Sequence, residues 1–319
     1  LSDTPTNRAA SNVIETGPDV FFHFNPRQRL VLGARAGNVY VGDTVLDNNR
    51  YGAMLRWVQD FAPQLSGSLN AEHLSVRYDD DSANENFDRR DLFLRVESRR
   101  PYTEITLDGG VTRIQRDRTG DLDGSLLRLH VQRTISGASH LGLSASAGYS
   151  DIGGHLLRYV TPPRTPIDRA IPPHSTTDVI SSDINYTREA DLFYGYSGTR
   201  FGANARLEAR NLEFETAPTG NRDESGIVLD LSYNFSVRLV GGMFGNRRDI
   251  HYREIDRNDQ DREFGVRLSY RAQRNLVVTT DARRTERDST VPTSDFVDKR
   301  FFVSLMYSTG SLYNPSTRR

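Results

Sequence analysis

The stretch 263–271, EFGVRLSYR, decides how this chain is read. On an extended strand Phe264, Val266, Leu268 and Tyr270 share one face, and Glu263, Gly265, Arg267, Ser269 and Arg271 share the other. That period of two marks a strand with one apolar and one polar side. Working outward, the same alternation returns. Ile227, Leu229, Leu231, Tyr233 and Phe235 oppose Val228, Asp230, Ser232 and Asn234. Phe201, Ala203, Ala205, Leu207 and Ala209 oppose Gly202, Asn204, Arg206, Glu208 and Arg210. Leu141, Leu143, Ala145, Ala147 and Tyr149 oppose glycines and serines, and further copies centre on Leu94, Leu107, Leu129, Val278 and Val303.

Many runs last about 9–15 residues, beyond the roughly 5–6 typical of strands in soluble sheets and enough to cross a tilted bilayer path. Their apolar faces end in aromatics (Tyr149, Phe235, Tyr270, Tyr307), as expected of interfacial girdles, and Trp57 reads as an interface anchor or a packing residue. Connections alternate in length. Tight ones fall near Asn25, Ala62, Arg100, Ser136, Ser197, Ser236 and Gln273. Longer polar ones fall near 43–50, 80–88, 117–123, 153–176, 216–223, 254–260 and 289–295. Short periplasmic turns and long outer loops produce that rhythm.

The expected fold is therefore all-β: a transmembrane antiparallel up-and-down barrel of about sixteen strands, in one domain over 1–319. Fifteen strands are distinct, and even parity asks for a sixteenth, drawn from Asn7–Glu15 or from upstream residues. Residues 1–18 read as an N-terminal extension or first strand, and 310–319 as a C-terminal tail. The chain begins at Leu1 with no leader visible, which reads as an export signal either already removed or lying outside this sequence. Pro162, Pro163, Pro166, Pro172 and Pro173 keep 153–176 out of any central strand and predict an extended outer loop folding toward the mouth.

Composition agrees. Hydrophobic residues make up 36%, mean hydropathy is -0.60, and no apolar run is long enough for a membrane helix. A barrel tolerates this, because only alternate residues meet lipid. The net charge of -1 argues against nucleic acid as a partner. Of the 41 cationic residues only Lys299 is lysine. Genome composition and the suitability of guanidinium for packed charge networks both account for that bias.

By parity the lumen face carries Arg35, Arg95, Arg128, Arg206, Arg210, Arg267, Arg271 and Arg283. It also carries Glu97, Asp108, Glu208, Asp230, Glu263 and Asp281. These are the candidate substrate-binding residues, with arginines offering forks to hydroxyls and carboxylates of a passing chain; mutual charge pairing is the competing reading. Acidic groups at 79–81, at Asp121 and Asp123, and at Asp256, Asp259 and Asp261 read as solvated loop charge rather than calcium ligands. The histidines lack metal-ligand spacing, and neither a nucleophile elbow nor a phosphate loop is present, so no metal, cofactor or catalytic residue is expected.

The segments SNVIETGPDVFFHFNPRQRLVLGARAG (11–37), REFGVRLSYRAQRNLVVTTDARRTERDS (262–289) and KRFFVSLMY (299–307) resemble the β-barrel porins of bacterial exopolysaccharide loci of the exosortase type. The resemblance implies an outer-membrane position, contact with lipid and lipopolysaccharide, and export of a polar polymer with periplasmic export proteins as partners. A general diffusion porin, or an anchoring subunit of a surface complex, remains the alternative. Barrel proteins commonly end on an aromatic, whereas here a polar tail follows Tyr307.

Overall fold

The computed structural model describes residues 11–41, 46–81, 84–151, 183–273 and 275–307. Its strands are β1 (Ser11–Thr16), β2 (Asp19–Asn25), β3 (Gln28–Val41), β4 (Asn48–Ala62), β5 (Leu65–Tyr78), β6 (Phe87–Arg100), β7 (Thr103–Arg116) and β8 (Leu122–Ser136). They continue as β9 (Ser139–Ser150), β10 (Asn185–Ser197), β11 (Phe201–Phe214), β12 (Arg222–Asn234), β13 (Leu239–Tyr252), β14 (Arg257–Gln273), β15 (Leu276–Ser289) and β16 (Phe296–Tyr307). All sixteen form one antiparallel up-and-down sheet, each strand from β3 onward pairing with the next. A strand of 14 residues such as β6 runs about 46 Å; at a tilt near 45° it covers roughly the 30 Å hydrocarbon thickness.

The sixteenth segment is not a sixteenth position around the barrel. Residues 11–16 of β1 and 19–25 of β2 both pair with β3, against its C-terminal and N-terminal halves respectively. The two lie end to end as one strand broken at Gly17 and Pro18, where proline has no N–H for the ladder while its carbonyl still accepts from Ala34 N at 3.1 Å. The stretch expected at Asn7–Glu15 thus extends the first strand instead of adding another; Asn7 to Ala10, the loop 153–176 and the tail 310–319 lie outside the described residues. No pairing joins β1 or β2 to β16 among the described residues.

Register sorts the side chains. Outward positions carry Leu55, Trp57, Leu92, Leu94, Val111, Leu207, Leu229, Val266 and Phe301, all exposed. Inward positions alternate with them and carry charge, small residues and a few aromatics. An apolar exterior around a polar interior is stable only where lipid replaces water outside. The described chain has no helix long and apolar enough to cross a membrane; the strands cross it.

At the outer end the inner face changes character. Val76, Tyr78, Phe87, Ile114 and Ile184 form a buried apolar cluster, with Leu74, Leu122 and Tyr149 packed on it. Loops above are tied laterally. Glu85 accepts from the backbone N–H groups of Arg118 and Thr119 and from Thr119 Oγ1, joining the 79–86 and 117–121 connections.

Candidate functional site

Every one of the fourteen candidate residues sits at an inward position, because each shares parity with the buried side of its strand. What the tertiary structure adds is which of them meet. Arg95 on β6 clasps Asp108 on β7 with Nε and Nη2, both at 2.7 Å, and Arg128 on β8 approaches the same carboxylate at 3.5 Å. Glu97 lies 3.9 Å from Arg95 and 3.1 Å from Arg99. The rings and guanidiniums stack as well: Phe93 lies beneath both Arg95 (5.8 Å) and Arg128 (5.5 Å).

The arrangement recurs across the barrel. Arg283 on β15 binds Asp281 at 2.6 Å and lies 3.8 Å from Glu263, while Phe244 on β13 lies beneath Arg267 (5.1 Å) and Arg283 (5.5 Å). Gly265 is required beside it, since a Cβ there would run into the Phe244 ring. Arg210 lies 3.9 Å from Glu189 and 3.6 Å from Glu224, and Glu208 takes Arg248 at 3.4 Å. Asp230 stands opposite Asn204, and Arg206 opposite Val228. Arg35 stays apart, held by Asp19 at 2.7 Å, and Arg271 reaches the Val237 carbonyl at 3.4 Å by the 235–238 turn.

Cross-strand pairing of this kind follows from burial. Asp108 is 1% exposed and Glu263 4%, and carboxylates so far out of water are costly unless a guanidinium or hydroxyl meets them. Thr285 Oγ1 supplies one such bond to Glu263 at 3.1 Å. The result is a wall in which guanidiniums and carboxylates sit side by side.

Two expectations change. Asp259 and Asp261 are not solvated loop charge, because β14 begins at Arg257 and turns both carboxylates inward. Arg287 binds Asp261 bidentately at 2.6 and 2.7 Å, and Arg257 takes Asp259 at 2.6 Å. Asp121, by contrast, stays in its loop and pairs with Arg113 at 2.7 Å.

Sequence reasoning also passed over Arg50, 101 positions from its partner Asp151, with which it forms a buried bidentate pair at 2.5 and 3.3 Å. Arg89 nearby donates to the Tyr149 carbonyl at 3.0 Å. These contacts reach from β4 and β6 to the end of β9 and to Asp151 just after it, at the outer end of the inner face. It overlooked the inward aromatics Phe93, Phe193 and Phe244 too. The signal was present, since Asp91, Phe93, Arg95 and Glu97 share one parity.

Against known proteins, residues 195–308 match a family model described as "Putative beta-barrel porin 2". No curated protein matches the chain. Among solved structures it is similar to the copper transporter OprC, with 11% identity, a TM-score of 0.53, and coverage of 93% of this chain and 57% of that one. It is similar also to the ferric-catecholate import receptor Fiu from E. coli K12, with 11% identity, a TM-score of 0.51, and coverage of 97% and 64%. A loop-deletion form of OmpT from Vibrio cholerae aligns over 93% of this chain and 99% of that one at 11% identity and a TM-score of 0.44. At such identities the likeness concerns the fold. The chain is a porin-like β-barrel of the bacterial outer membrane.

Proposed function

We propose that this barrel is a conduit or scaffold for export of a polar polymer, an exopolysaccharide in particular. The observation carrying the proposal is the wall of paired charges. A channel selecting small ions presents a field of one sign, whereas rungs of guanidinium beside carboxylate offer many weak, balanced contacts to a hydroxyl-rich chain. Weak multi-site binding suits passage, because no single site holds the polymer. The resemblance of 11–37, 262–289 and 299–307 to porins of exopolysaccharide loci points the same way.

The test is single-channel current in planar bilayers, with and without an anionic polysaccharide. The proposal expects polymer-dependent blockade that weakens when Arg95, Arg128, Arg267 and Arg283 are all changed to Gln. Steady current indifferent to polymer would instead favour a diffusion porin. The buried Arg50–Asp151 pair and the apolar cluster at the outer end favour a second reading, an anchoring subunit with a filled mouth. A silent barrel under all conditions would select it.

A further inference from the structure

Besides the apolar cluster at the outer end, a second patch of the inner face departs from the charge ladder. On β8, β9 and β10 the inward rings of His130, His140 and Phe193 gather on the periplasmic half of the wall. His130 and Phe193 are nearly parallel, 18° apart with centroids at 5.9 Å, and His140 tilts against Phe193 at 6.2 Å. Two glycines make this possible. A Cβ at Gly142 would strike the Phe193 ring and one at Gly195 would strike His140, so both rings lie down on the sheet instead of standing off it. Phe93 and Phe244 have guanidiniums stacked on them, whereas Phe193 is flanked by imidazoles. All three rings of the patch are half-buried and keep surface toward the lumen.

Polar groups frame the patch. Gln132 and Arg206 occupy the same row as Phe193 across the paired strands, and Ser144 and Asp191 face each other one step toward the outer end. His130 Nδ1 and Ser144 Oγ are 3.0 Å apart, which fixes the imidazole in its plane. A flat apolar centre with hydrogen-bonding groups at its rim matches the two-sided chemistry of a pyranose, whose C–H face is apolar and whose hydroxyls project from the ring edge.

We propose that His130, Phe193 and His140 form a stacking platform for a neutral pyranose unit of the exported chain. The proposal rests on the polymer-export reading and adds a sugar class to it. Arginine rungs take acidic units or hydroxyls through hydrogen bonds, and the platform takes an uncharged ring by its face.

Equilibrium binding to the purified full chain in detergent tests this, with cellohexaose as the neutral probe and hexagalacturonate as the charged one. Cellohexaose is expected to bind saturably, and Phe193→Leu to weaken it about tenfold while hexagalacturonate binding stays within about twofold. Gly142→Ala, which lifts the ring while retaining it, is expected to weaken cellohexaose alone in the same way. Thermal unfolding of each variant confirms an intact barrel. Unchanged cellohexaose binding in Phe193→Leu, or wild-type binding of hexagalacturonate alone, overturns the platform. Export is read separately in bilayer current, so the platform and the conduit fail independently.

Discussion

The pair Arg50–Asp151 offers the sharpest test of how this barrel is held at its outer end. Both side chains are 5% exposed, and their two hydrogen bonds join β4 to the residue that follows β9, a strand that is not a neighbour of β4 in the sheet. Removing one partner strands a buried charge, which costs about 3–5 kcal/mol. Replacing both with apolar residues of similar volume removes the desolvation burden together with the attraction, and is close to neutral in many proteins. Asp151→Leu alone and Arg50→Met alone should therefore each destabilise by roughly 3–5 kcal/mol, and the double variant by far less than their sum. Urea unfolding in lipid vesicles, followed by the fluorescence of Trp57, supplies the four free energies of the cycle. Additive losses in the double variant would refute the argument, for they would mean the two groups act separately and the clasp carries no coupling.

Trp57 is the chain's single tryptophan, outward on β4 and 45% exposed. Its emission should be blue-shifted in lipid and quenched by brominated acyl chains; a spectrum insensitive to them would contradict its outward placement. Leu229→Arg on the outward face should cost about 2–4 kcal/mol in vesicles if it lies near the midplane, against under about 1 kcal/mol near an interface. Gly265→Ala should push Phe244 off the wall and cost about 1–3 kcal/mol, with Phe244→Leu in the same chain recovering part of the loss in thermal unfolding. Burial would raise the Glu85 carboxyl, but bonds from Thr119 and from the Arg118 and Thr119 amides outweigh it and hold the carboxyl below its ordinary range. A depressed folded pKa stabilises above the unfolded value and is lost as pH falls through the folded one. The tie between Glu85 and the 117–121 loop should thus persist at neutral pH and loosen only as the pH falls below the ordinary carboxylate range, read as faster amide exchange at Thr119. Glu85→Gln should show that faster exchange already at neutral pH.

Much of this protein is written in single residues. The alternation in 263–271 placed Phe264, Val266, Leu268 and Tyr270 outward and Glu263, Arg267 and Arg271 inward, and the structure keeps that division. Strand parity is local, because successive side chains must point to opposite faces whatever the partner. Loop rhythm is local in the same sense, so turns such as 63–64 and 101–102 fell where expected. Pairing is not local. Nothing in the sequence says that Arg95 and Arg128 share Asp108, that Arg287 takes Asp261 rather than a nearer acid, or that Arg50 reaches across to Asp151. Those partners depend on strand register and on how the sheet curls, which sum over many weak contacts spread along the chain. The same holds for Phe193, which parity alone makes one more inward residue. Only Gly142 opposite it on β9, and the imidazoles of His130 and His140 brought beside it from β8 and β9, set it apart as the centre of a flat ring patch.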